Sequence, residues 1–375
     1  MRSRPIPVLF VVAVLALAPL AASAPAAAAV ATKTVEHTVP SGAGLNGTLN
    51  GQVKIANLAG RITLVPAASG GPVKVVAVVN AEGGSPQETQ DLIQAMRWVQ
   101  EHDGTWNLAY PVDRYDAFVY PEGLRSMGSH TTTKFRGERV HVYGGARRGV
   151  PVLYADLTVT MPRGARLRVN DSVGSVRGQN LNGDLFVGTG SGDIKLDGAA
   201  GTIDVDTGSG DVELHEIAGD TMADTGSGDV VIDGIAADTL KVDTGSGDVT
   251  ISNATLRDLK ADTGSGNIAV DHVRLVTFLG DTGSGDVTVS GDLSGATQID
   301  VDTGSGDVDL VGGPAFEFDL TTDVGSGDVQ VTYDDAELRR NRHEVIGARR
   351  GSGQTRIMVD TGSGDVTVSP SGAGP

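Results

Sequence analysis

The chain has 375 residues, 53 of them glycine, no cysteine, and a formal net charge of −18. That length admits one or two domains with ample core, and the lack of cysteine excludes both disulfides and a lipid-modified N-terminal cysteine. The acidic balance disfavours nucleic acid, whose phosphates it would repel, and suits divalent cations or basic partners.

The first segment reads as an export signal over residues 1–31. Arg2 and Arg4 form a short basic region, residues 7–20 (PVLFVVAVLALAPL) are an apolar run, and residues 21–31 (AASAPAAAAVA) offer small-residue cleavage sites. A retained anchor would need about 20 continuous apolar residues, and Pro19 and Pro25 interrupt that run. No later segment is apolar enough to cross a bilayer, and the terminal SPSGAGP resembles no sorting signal. The expected product is exported, to the periplasm or the exterior.

Residues 32–165 read as a β-rich N-terminal cap region. Within it, residues 46–65 (NGTLNGQVKIANLAGRITLV) already have the pattern of one coil, with Val53 and Ile55 alternating, then Leu58, then Ile62 and Leu64. Residues 86–101 are predicted helical: Ser85 is the cap, Pro86 the first helical residue, Glu88 lies three residues after the cap, and Leu92, Met96 and Val99 share one face. Six of the 15 aromatic residues follow within a short span: Trp98, Trp106, Tyr110, Tyr115, Phe118 and Tyr120. Such a cluster forms the core of a cap or binds glycan or a partner. Strands are expected near 138–143 and 152–160. The seven histidines are scattered, without metal-ligand spacing.

From residue 166 to 331 the chain is repetitive. VGSV at 173–176 stands one period before a series of TGSG[DN][VI] elements beginning at Thr189, Thr207, Thr225, Thr244, Thr263, Thr282, Thr303 and Thr361, with a variant beginning at Val324. The starts are 18, 18, 19, 19, 19, 21, 21 and 37 residues apart, and 37 is close to two periods with one signature lost. Counting the Thr as position 0, positions +5 and +7 are apolar in every copy (Val212 and Leu214, Val249 and Ile251, Val308 and Leu310), as is position −4 in most (Ile203, Leu240, Phe278). Alternation of this kind marks short strands with one buried face, and a period near 20 residues marks a solenoid. TGSG is then a corner, where glycine allows positive φ and close backbone approach. VDTGSGDV at 301–308 looks like an aspartic-protease signature, but that chemistry needs two facing carboxylates in one cleft, not nine tandem copies.

Aspartate recurs at position −1 (Asp206, Asp224, Asp243, Asp262, Asp281, Asp302, Asp323, Asp360) and at +4 (Asp193, Asp211, Asp229, Asp248, Asp286, Asp307, Asp328, Asp365), with Asn267 as the exception. Residues 188–330 hold 28 acidic residues against 5 Lys and Arg, so the array is −23 and the rest of the chain +5. Carboxylates stacked about 4.8 Å apart repel by about 0.9 kcal/mol per neighbour even in water. Either turn amides satisfy them or cations do. Asn267 and the mismatch to the calcium nonapeptide GGxGxDxUx favour turn amides. Residues 332–356 bring Arg339, Arg340, Arg342, Arg349, Arg350 and Arg356, as a loop or cover over the last coil or as a partner-binding patch. Residues 357–375 form the last coil and tail.

The export signal, the NGxVxIxNxxGxI opening, a VxMPxGxxLxV segment at 159–169 and the repeated TGSGDVxV coils resemble the widespread bacterial putative-adhesin family of unknown function, related to head-domain adhesins of outer membranes. The resemblance spans roughly 45–370. It implies an extracytoplasmic β-solenoid, tied in some members to envelope stress or surface attachment, and it supplies no catalytic residues. This chain departs from an anchored adhesin in showing no membrane or wall anchor.

The resulting expectation is an all-β protein: a parallel β-solenoid (β-helix) with coils of 18–21 residues, right-handed by the general handedness of parallel crossovers, and an N-terminal cap containing one helix. Its expected role is a non-catalytic binding, adhesion-like or scaffold module of the cell envelope, with an envelope protein or glycan as partner and no cofactor. A calcium-stabilised adhesive solenoid is the first rival, with Asp224, Asp229, Asp243, Asp248, Asp281, Asp286, Asp302 and Asp307 as ligands. A polysaccharide-active β-helix enzyme is the second, disfavoured because an acidic array repels uronates and no isolated Asp/Lys/Arg constellation stands out. An uncovered solenoid end would invite end-to-end self-association.

Overall fold

The structure, a computed structural model, describes residues 30–39, 51–68, 70–122 and 130–371. Residues 1–29 of the export signal and 46–50 of the first predicted coil lie outside the described residues.

The cap begins with β1 (Ala31–Val39), β2 (Gln52–Ala59), β3 (Ile62–Pro66) and β4 (Val73–Glu82), followed by α1 (Pro86–Ala95). Ser85 caps the helix by accepting from the Glu88 amide at 3.1 Å, and Glu88 Oε2 accepts from the Gly84 amide at 2.6 Å. The helix stops at Ala95, short of the expected 101. Met96 is already extended, and β5 (Arg97–Gln100) pairs antiparallel with β6 (Trp106–Ala109). Sheet pairing of Trp98 and Val99, both good strand formers, overrides the helical spacing. Then come β7 (Ala117–Val119), β8 (His130–Phe135), β9 (Glu138–Tyr143) and β10 (Val152–Met161).

The repeat region runs through β11 (Ala165–Val173), β12 (Val176–Thr189), β13 (Ile194–Ala200), β14 (Ile203–Thr207), β15 (Val212–Ala218), β16 (Thr221–Thr225), β17 (Val230–Thr244), β18 (Val249–Thr263), β19 (Ile268–Arg274), β20 (Thr277–Thr282), β21 (Val287–Asp292), β22 (Gln298–Thr303) and β23 (Val308–Gly312). Strands before the corner stack on one another in parallel, as do strands after it, and equivalent repeat positions sit in register: Asp206 beside Asp224 beside Asp243, Ile194 beside Val212 beside Val230. The residues at +5 and +7 and at −4 are buried in every level but the outermost, where Val329 and Val331 are half-buried, as their alternation requires. Phe278, Ile299 and Ile357 form one buried column and Val289 and Leu310 belong to another.

Each coil in the first part of the array has a second bend that the repeat pattern did not advertise. Asn180, Gly198, Glu216, Gly234, Asn253 and His272 all stand at position +9, with φ between +52° and +78°, where the chain turns from the post-corner strand into the return segment. Asn and Gly tolerate this left-handed region, but the varied residue types hide the column.

At both ends, order in space departs from order in sequence. β3 pairs in parallel with β10 on one side and with the start of β12 on the other, so it is sandwiched between strands that come about a hundred residues later, and β2 lies between β11 and β6. At the far end the chain continues into β24 (Phe318–Val324), β25 (Val329–Val331), the hairpin β26 (Glu337–Asn341) and β27 (Glu344–Arg350), and finally β28 (Thr355–Thr361) and β29 (Val366–Pro370). β28 lies between β22 and β24, and β29 between β23 and β25. The spacing of 37 residues therefore does not hide a coil with a lost signature. It contains a hairpin, after which the chain returns to fill a skipped level, so residues 357–371 are the last coil in sequence but not in space.

Candidate binding surface

The corner shows what the signature is for. A Cβ built on the second corner glycine would lie 1.8 to 2.1 Å from the carbonyl oxygen of the equivalent glycine in the coil beneath, at Gly174, Gly192, Gly210, Gly228, Gly247, Gly266, Gly285, Gly306, Gly364 and Gly327. Glycine is required there by backbone contact between coils. Positive φ, the other expected reason, holds only at Gly60, Gly174 and Gly192 in this column. The Thr at position 0 is buried and donates its hydroxyl to the same underlying carbonyl, as in Thr207 to Gly192 (2.9 Å), Thr263 to Gly247 (2.9 Å) and Thr361 to Gly306 (3.2 Å).

The +4 carboxylates also serve stacking. Each Oδ1 accepts the backbone N–H of its counterpart in the next coil: Asp229 from Asp248 (3.0 Å), Asp248 from Asn267 (2.8 Å), Asp286 from Asp307 (2.9 Å) and Asp307 from Asp365 (2.8 Å). Asn267 Oδ1 accepts from Asp286 (2.9 Å), which explains why Asn substitutes here. The amides come from the neighbouring coil rather than from the residue's own turn.

The −1 carboxylates face outward. Asp224, Asp243, Asp281 and Asp302 form one continuous in-register row with Asp206, Asp262, Asp360 and Asp323. Partial burial, followed by their row neighbours, raises the Asp224 and Asp281 carboxyls above the usual range. Lys260 Nζ lies 3.3 Å from Asp262. Next to this row runs a mixed one, Asp204, Met222, Lys241, Lys260, Leu279, Asp300 and Met358, in which Met222, Leu279 and Met358 are exposed apolar side chains. The result is a flat acidic strip with apolar spots. Among the described residues no group of three or more His, Cys, Asp or Glu side chains is arranged to hold a metal ion.

The cap sorts its aromatics by depth. Tyr110, Phe118 and Tyr120 are core, whereas Trp98, Trp106 and Tyr115 lie at its margin. Trp106 packs in a tilted arrangement 4.0 Å from His37, which also stacks on Trp98 at 5.7 Å; His37 is a residue the sequence did not mark, and burial holds its imidazole below its usual pKa. Of the arginines in 332–356, Arg350 bonds to Asp335, to the carbonyls of Phe316 and Pro314, and stacks on Tyr333 at 4.5 Å, while Arg339 and Arg349 reach Asp319. These three fasten the hairpin over the edge of β24, to which β27 pairs antiparallel.

Sequence reasoning also missed Asp171. It stands at position 0, one period before Thr189 and between Thr189 and Asn57 in register, and it is 2% exposed. Its carboxyl is near the Ser172 and Val173 amides, but no hydrogen bond of good geometry reaches either oxygen. Burial first, and then Asp156, push its pKa well above the carboxylate range. Stepping back one period from Thr189 would have found it.

Parallel coils joined by backbone-contact corners define a β-solenoid repeat protein. The Toastrack DUF4097 family profile matches residues 155–311 and 218–369, more than half of the chain, and the chain belongs to that family. No curated protein matches it. Among solved structures, a "putative adhesin" from Bacteroides fragilis NCTC 9343 is 14% identical, with 91% of this chain and 97% of that one covered and a TM-score of 0.32. A "putative cell adhesion protein" from Clostridium sporogenes ATCC 15579 is 10% identical over 91% and 100%, with a TM-score of 0.21. A "putative lipid binding protein" from Parabacteroides distasonis ATCC 8503 is 11% identical over 90% and 96%, with a TM-score of 0.42. At these values the likenesses carry nothing about ligand or role. Among the described residues no helix is long and apolar enough to cross a membrane.

Proposed function

We propose that the protein is an exported, non-catalytic, right-handed β-solenoid acting as a rigid binding or scaffold module of the cell envelope, and that it meets a basic partner on the acidic strip. One observation carries this reading: the −1 carboxylates form an outward row at one-coil spacing. The Thr and +4 Asp of the same signature are consumed by coil stacking. A row of like charges costs stability, and a cationic partner offsets that cost. The N-terminal signal supports export, and the arrangement of the repeats supports a scaffold rather than a catalytic cleft.

The test is binding of a lysine-rich peptide, followed by fluorescence anisotropy at two ionic strengths. Binding is expected to weaken with salt and to be lost in the variant Asp224→Asn/Asp243→Asn/Asp281→Asn/Asp302→Asn. Equal binding by that variant would exclude the strip, and cleavage of pectin- or alginate-like polymers by the protein would overturn the non-catalytic reading.

A further inference from the structure

We propose that the coil Thr355–Ser371 is an exchangeable insert, and that the slot it occupies accepts the same segment from a second copy of this chain. The slot has two parallel edges. β22 and β23 form one, β24 and β25 the other, and β28 and β29 pair with both.

Three features make the insert separable. First, β24 pairs only with β28 and the hairpin strand β27, and β25 only with β29, among the described residues. The strands of the outermost level are thus joined to the body's strands through the insert. Second, the insert joins the hairpin through Gly351–Gln354, a loop that is largely exposed and in which Gly351 and Gly353 have positive φ. Third, the slot recognises a generic coil. Residues 281–290 and 360–369 are the same ten residues, DTGSGDVTVS, and the insert is gripped by the bonds every coil makes: Thr361 to Gly306, the Asp365 amide to Asp307, and the Asp328 amide to Asp365. A second copy's segment would make identical contacts, which is the condition for domain swapping. Two features favour the chain's own insert: Ser352 bonds to Glu317, and Gln354 reaches the Ser294 carbonyl at 3.3 Å. Exchange should therefore need an opened slot and high concentration.

The absence of native cysteine makes the test clean. Asp302 and Asp360 are in-register neighbours on the outward face, at a separation that suits a disulfide. The variant Asp302→Cys/Asp360→Cys is unfolded in denaturant, refolded over a range of concentrations and then oxidised. Non-reducing electrophoresis should show disulfide-linked dimers whose share grows with concentration. It should exceed that of an internal pair, Asp224→Cys/Asp243→Cys, carried through the same steps. Oxidation before unfolding should abolish the dimer. Val311→Cys/Ser369→Cys, in register on the other strand column, repeats the test should the first variant refold poorly. Bonds formed only within one chain at every concentration, or equal dimer from the internal pair, would overturn the proposal.

Discussion

Single atoms decide whether a residue of the signature can vary. The second corner glycine cannot, because Gly247 would drive a Cβ to 1.8 Å from the Gly228 carbonyl oxygen. Gly247→Ala is expected to cost about 3 kcal/mol or more, at the upper end of overpacking effects. Gly295→Ala, where an added Cβ meets nothing within 4 Å, should leave the denaturation midpoint nearly unchanged. Asp171 yields the second prediction. Its folded pKa is raised above 3.8, so as pH rises the unfolded chain gives up this proton first and stability falls from about pH 4 upward. Asp171→Asn removes that penalty, because the amide has no charge to bury. A gain of about 1–3 kcal/mol is expected at pH 7, shrinking towards zero below pH 4. A gain independent of pH, in denaturant melts at both values, would show that ionisation is not its cause.

Among the elements, strands were more legible than the segments that join them. The alternation at −4, +5 and +7 located nearly every strand of the array because each buries one face. The helix was overextended because its apolar spacing continues through Val99, and only the partner strand β6 reveals that residues 97–100 prefer a sheet. The +9 bend escaped notice because its φ can be met by Asn, Gly, Glu or His alike. The Arg-rich segment was ambiguous for a different reason. Arg350 becomes a fastener only once Pro314, Phe316, Tyr333 and Asp335 are brought around it. With the hairpin over β24, end-to-end stacking is hindered on that column, since an edge strand already paired offers no template.

For the molecule as a whole, charge is the dominant strain. The array carries −23 between residues 188 and 330, and its outward row repeats at a spacing well inside the Debye length of about 8 Å at physiological salt. Added NaCl should therefore raise the thermal midpoint of the metal-stripped protein. Calcium should raise it no further than magnesium at equal ionic strength, because the +4 carboxylates already accept neighbouring amides. A calcium-specific rise would instead make the two aspartate columns ligands, since a ion that binds only the native state stabilises it.

The repeat period, the buried columns and the corner were determined by the sequence alone, because stacking forces the same residue types to recur at the same positions in every coil. The order of coils at the two ends was not. Every corner presents the same stacking glycine, from Gly60 and Gly174 to Gly364 and Gly327, so the corner does not by itself fix which coil sits on which. Only the tertiary structure, through the hairpin on β24 and the strand β10 beneath β3, decides that residues 52–66 and 355–371 are intercalated rather than terminal.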